Sequence, residues 1–116
     1  MPKHDDNGSI VVLTTLANPD EARSFVRRLV EARIVACGTV IEDVTSLYRW
    51  KNRVQEEAEA LVLLKTQRDR WNDLQQAVSE HHPYDLPELL ALPVVAGLPQ
   101  YLEWLTVETR SQEDPT

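Results

Sequence analysis

The sequence predicts an α+β sandwich of element order β-α-β-β-α-β, closed by a short C-terminal helix. Three observations carry that expectation. Apolar, β-branched runs without helical spacing occur at Ile10–Thr15 and within the stretches 34–50, 54–65 and 88–95. Two polar segments between them carry apolar residues at helical spacing behind helix-start residues. Two long extended arms flank the turn-forming Lys51-Asn52-Arg53. That order is the ferredoxin-like arrangement, in which two helices cover one face of an antiparallel sheet. At 116 residues, with 42% hydrophobic and 27% charged content, the chain suits one globular core. The expected divisions are a polar tail over 1–9, one domain over 10–108 and a polar tail over 109–116.

Ile10-Val11-Val12-Leu13-Thr14-Thr15 reads as a buried strand. Asn18-Pro19-Asp20-Glu21 then predicts a helix start, with Asn18 as cap and Pro19 at the first helical position. Ala22, Phe25, Val26, Leu29 and Val30 follow at spacings of 3, 4, 7 and 8, which gives one apolar stripe ending near Arg33. Ile34-Val35-Ala36-Cys37 is the next extended run. Broken alternation from Val40 to Trp50 predicts a bulge or bend near Glu42-Asp43. The return arm runs from Val54 to Lys65 and is apolar on both faces over Ala60–Leu64. At about 3.3 Å per residue each arm reaches roughly 40 Å, against a radius of gyration near 13 Å for a chain this size. The tip, with Tyr48 and Trp50, therefore overhangs, and self-association into a closed ring is the expected cover.

Thr66 is expected to cap a second helix with its stripe at Trp71, Leu74, Ala77 and Val78, stopped by Pro83. Glu88–Val95 is a fourth strand, with Pro93 pointing to an edge or a bulge. Beyond Gly97 and Pro99, Tyr101–Leu105 forms a turn or two of helix.

Chemistry concentrates in His81-His82-Pro83-Tyr84-Asp85-Leu86-Pro87-Glu88-Leu89. His81 and His82 are metal-ligand candidates, with Cys37 and Glu59 as lesser ones, because imidazole and thiolate suit copper and zinc. The same corner also reads as pure architecture, two prolines stiffening a helix-to-strand crossing. His4, Asp5 and Asp6 form a weaker chelating group in the N-terminal tail. No glycine-rich phosphate loop or nucleophile elbow occurs among three scattered glycines, so no enzyme and no organic cofactor is expected. Twelve basic against nineteen acidic residues give a net charge of −7, which argues against nucleic acid as a partner. One cysteine, no apolar run of about 18 residues and no apolar leader predict a cytoplasmic chain with no membrane association.

An ordered set of motifs resembles the CutA family of divalent-cation tolerance proteins. It comprises Val11–Thr15, Leu29–Arg33 with Ala36-Cys37, Thr45–Trp50, Leu64-Lys65-Thr66, His82-Pro83-Tyr84 with Pro87-Glu88, and Tyr101–Leu105. The resemblance runs from about Ser9 to Arg110. It implies a ferredoxin-like, PII-like fold assembled as a homotrimer, and a role in tolerance of copper or another divalent metal ion. It also implies a copper site in some members, built from a cysteine at the end of the first strand and the two histidines before the proline. Here that cysteine position reads Thr14, whose hydroxyl is a hard, poor copper ligand. A second reading is a PII-like trimer whose inter-subunit clefts, lined by Tyr48, Trp50, Tyr84 and Glu88, bind a small molecule or a protein.

Overall fold

Strand β1 (Ser9–Leu16) sits inside a four-stranded antiparallel sheet of order β2-β3-β1-β4, built with β2 (Cys37–Trp50), β3 (Arg53–Gln67) and β4 (Leu90–Pro93). Helices α1 (Pro19–Glu31), α2 (Trp71–His81) and α3 (Pro99–Glu108) complete the chain, with a short 3₁₀ turn at Arg68–Arg70 before α2. The computed structural model describes residues 7–110. His4, Asp5 and Asp6 lie outside the described residues, as does the chain after Arg110.

Alternation along β1 explains the layering. Ile10, Val12 and Leu16 are buried with Ala60, Val62 and Leu64 of β3, and Phe25, Val26 and Leu29 of α1 and Leu74, Ala77 and Val78 of α2 close over them. Val30, expected in the α1 stripe, is instead 38% exposed. Gly38 lies near the start of the edge strand β2, opposite Leu64, which pairs in turn with Val12. A Cβ at Gly38 would stand 2.7 Å from a Val26 methyl and 3.0 Å from one of Leu64. The missing side chain is therefore what lets α1 settle onto the sheet.

Local chemistry fixes the element ends. The Asn18 side chain accepts the Glu21 N–H at 2.9 Å with Pro19 inside the first turn. At the other end of α1, Arg33 takes φ 62°, and Arg33 and Ile34 donate their N–H groups to the carbonyls of Val30 and Leu29. This is a Schellman closure. It holds Ile34–Ala36 in a turn, so β2 starts only at Cys37, later than the apolar run predicts. The bulge expected near Glu42-Asp43 appears as a register shift between Ile41 and Val44, with Asp43 at φ 60°. Lys51 and Asn52, both at positive φ, make the two-residue turn between Trp50 and Arg53.

Four expectations are corrected. Thr66 caps no helix: it is fully buried in β3 and donates its hydroxyl to the Ile34 carbonyl at 2.6 Å. The sheet also begins one residue earlier than expected, because Asn7 accepts the Ser9 N–H and donates to the Val94 carbonyl, which pins the entry to β1. β4 is shorter than the apolar run 88–95, and all four of its residues are exposed along the sheet edge. α3 is longer than the one or two turns expected.

The β2–β3 hairpin, 14 and 15 residues long, gives the molecule a 47 Å long axis and a radius of gyration of 15.4 Å, above the roughly 13 Å of a compact chain this size. Near its tip Leu47, Tyr48, Trp50 and Val54 are all exposed.

Gly38→Ala is expected to lower stability by about 1–3 kcal/mol through overpacking. Denaturant unfolding at fixed protein concentration checks it. Combining it with Val26→Ala should cost less than the two single losses added together, because the second change removes the clashing methyl groups.

Candidate functional site

Pro83 forces the preceding residue out of helical geometry, and His82 accordingly ends α2 with φ −81° and ψ 133°. That change of direction swings its ring inward, to 8% exposure, edge-on to Phe25 with ring centroids 5.5 Å apart. There Nε2 donates to the Thr15 carbonyl at 2.9 Å, with the Thr14 hydroxyl oxygen 3.3 Å away. Nδ1 accepts the Tyr84 N–H at 3.2 Å. A carbonyl can only accept and an amide N–H can only donate, so the ring is the neutral Nε2–H tautomer. Burial is the largest influence on it and lowers its pKa from 6.5, against the opposing pull of the Thr15 carbonyl and of Glu21 and Glu59.

Tyr84 follows in the same cluster. Its ring packs edge-on to His82 at 4.9 Å, and its hydroxyl donates to Glu59 Oε2 at 2.7 Å. Burial and the Glu59 carboxylate hold the phenol far above its usual range. Tyr48 lies close enough to influence Tyr84, and its own pKa is raised by desolvation and by Glu57 and Glu59. The sheet register explains this proximity: Tyr48 pairs with Gln55 and Val44 with Glu59, so Tyr48 shares its side of the hairpin with Glu57 and Glu59. Trp50 is half-exposed two residues further along, and Glu88 is exposed.

The two histidines part company. His81, the last residue of α2, is exposed, with Nε2 3.7 Å from a Glu80 carboxylate oxygen, and it lines a groove between α1 and α2 with Arg28 and Arg70. His82 faces β1 instead. Cys37 belongs to neither place. It pairs with Lys65 on the sheet face opposite Gly38, and its Sγ lies 3.7 Å from the Tyr101 hydroxyl of α3. The fold therefore joins His82, Tyr84, Glu59 and Tyr48, and separates them from His81 and Cys37. Among the described residues no three His, Cys, Asp or Glu side chains gather as a group that could hold a metal ion. A metal at His82 would first have to displace the Thr15 carbonyl or the Tyr84 amide.

Sequence reasoning named Glu59 and Tyr84 for different roles and missed their pairing. They are 25 residues apart, and no periodicity connects a strand residue to a loop. Arg28 and Arg70, which border the groove beside His81, lie 42 residues apart, and no local pattern in the sequence joins them.

The chain matches the family model described as "CutA1 divalent ion tolerance protein" over residues 10–108. It is 40% identical over 99 residues to the divalent-cation tolerance protein CutA of Thermus thermophilus, covering 85% of this chain and 96% of that protein. It is 36% identical over 108 residues to the Escherichia coli protein of the same name, covering 93% and 96%. The solved structure of the Thermus thermophilus protein superposes with a TM-score of 0.86 at 39% identity, over 88% of this chain and 99% of that one.

Protonation of His82 gives a testable pH dependence. In the unfolded chain the ring takes up a proton near pH 6.5, whereas the native ring resists it. The unfolded state therefore binds more protons just below that pH. Stability should fall on acidification from about 6.5 towards the depressed native value, and His82 should add no slope above it. Unfolding free energies at several pH values for wild type and His82→Gln should differ in slope only below that threshold.

Proposed function

Because the chain belongs to the CutA1 family of divalent ion tolerance proteins, we propose that it works as a cytoplasmic homotrimer that binds copper or another divalent cation weakly and catalyses no reaction. The observation that supports self-association is the exposed apolar surface along the overhanging hairpin and the uncovered β4 edge: Leu47, Trp50 and Val54 at the tip, Leu90 and Leu92 on the edge. Soluble chains cover such edges and patches, and copies of the same chain are the simplest cover.

For metal, His81 is the better of the two imidazoles. It is exposed, adjoins Glu80 and retains an accessible nitrogen, whereas both nitrogens of His82 are engaged. One imidazole and one carboxylate make a weak site, in keeping with tolerance rather than tight storage. Cys37 and Glu59 stay in reserve as ligands across a subunit boundary, since each already has a hydroxyl partner in its own chain.

A second reading is favoured by one cluster. Tyr48 and Tyr84 flank Glu59, with Trp50 beyond them and Glu88 exposed on the same corner loop as Tyr84. In a trimer these side chains would line a cleft for a small molecule or a protein segment, as in PII-like assemblies.

Light scattering at micromolar concentration is expected to give three times the chain mass; a monomer would contradict the assembly. In Cu²⁺ titration calorimetry, His81→Ala should weaken binding by about tenfold, while His82→Ala should lower stability and leave the isotherm close to wild type. An unchanged isotherm for His81→Ala would sink the assignment.

Thr14 offers a gain-of-function test. Its Oγ1 stands 3.3 Å from His82 Nε2, so Thr14→Cys places a thiol where the resemblance puts a copper-binding cysteine. The variant should bind Cu⁺ at least about tenfold more tightly under reducing conditions. Adding His82→Gln should reverse the gain.

A further inference from the structure

Between α1 and α2 runs a cavity of about 270 Å³, at the small end of the roughly 300–1,000 Å³ usual for ligand clefts. Its floor is apolar: Leu29 and Ala77 are buried there, and Ala32 and Ile34 border them. Two guanidinium groups, Arg28 and Arg70, also line it. Arg28 is exposed and has no ion-pair partner among the described residues. Arg70 is the less usual of the two. Its side chain is only 14% exposed, its Nη1 donates to Asp73 at 2.7 Å, and its Nε is buried with no hydrogen-bond partner.

Nε has no surface open to the groove, so Arg70 meets a ligand only through the rest of its guanidinium, which carries five donors in all and gives one to Asp73. A carboxylate oxygen in the groove can accept from that end of the group. The rest of the lining narrows the ligand. Asp73 and Glu80 also face the cavity, so a dianion would be repelled where a monoanion is tolerated. The apolar floor rewards a ligand with a hydrocarbon body.

We propose that this groove binds a small organic monocarboxylate, its carboxylate on Arg28 and Arg70 and its apolar body on Leu29, Ala32, Ile34 and Ala77. The site is separate from the Tyr48–Tyr84 cluster and from any subunit cleft there. It meets the metal reading at His81 and Glu80, which line the same groove, and no metal is needed for the carboxylate to bind.

Phenylacetate is a suitable probe, with inorganic phosphate as the comparison, both read by ligand-observed NMR on the whole assembled protein without added metal. Phenylacetate should bind in the millimolar range, as expected of so small a ligand, and more tightly than phosphate. Arg28→Gln and Ala32→Phe, both at exposed positions outside the core, should each weaken it by about tenfold while leaving the melting temperature near that of wild type. Absence of binding at about 10 mM, ten times a millimolar constant, would overturn the site. Undiminished binding in Arg28→Gln would remove the cationic anchor, and undiminished binding in Ala32→Phe the apolar seat. Phosphate binding as tightly as phenylacetate would likewise contradict the hydrocarbon preference.

Discussion

One buried imidazole ties the two halves of this fold together. His82 stands where α2 ends, yet its hydrogen bonds reach the Thr15 carbonyl near the end of β1 and the Tyr84 amide at the start of the following loop. The ring thus fastens the second helix to the first strand and sets the direction in which the chain leaves towards β4. Its neutrality is part of the device. Only the unprotonated Nδ1 can accept the Tyr84 N–H, and burial keeps it so. Tyr84 then carries the connection outward to Glu59 on the hairpin, so helix, strand, corner and hairpin share one chain of contacts.

The same arrangement divides residues that look alike. Two adjacent histidines in a sequence invite a shared metal, but a proline after the second turns the backbone from helical to extended between them. One ring serves the interior, and the other stays at the surface beside Glu80. Thr14 fits this division. It is fully buried, and its hydroxyl lies against the interior ring. A thiolate in that place would offer a soft ligand instead of a hard one.

The hairpin sets the outer limits of the molecule. Gly38 allows α1 to close on the base of β2, while beyond the bulge at Asp43 no helix among the described residues follows the strands. Leu47, Tyr48, Trp50 and Val54 are exposed there, with no cover from the described residues. The core thus covers one end of the sheet and stops short of the hairpin tip.

Length, element order, the Asn18 cap, the bulge near Asp43 and the Lys51-Asn52 turn were all legible in the sequence, because each rests on local chemistry: side-chain period, capping and tolerance of positive φ. The family was legible too, from an ordered set of short motifs. Other features depended on partners far along the chain. Thr66 looks like a helix cap until the Ile34 carbonyl arrives from 32 residues away. The β4 run looks longer than it is, because β1 offers it only four pairing positions, Ile10 to Leu13. The site shows the same boundary. The sequence by itself marked His81, His82, Glu59 and Tyr84 as the residues to watch. Tertiary packing alone decided which ring is buried and neutral, that Tyr84 meets Glu59, and that Arg28 and Arg70 border one groove. Hydrogen bonds and desolvation depend on neighbours in space, and local periodicity carries no record of them.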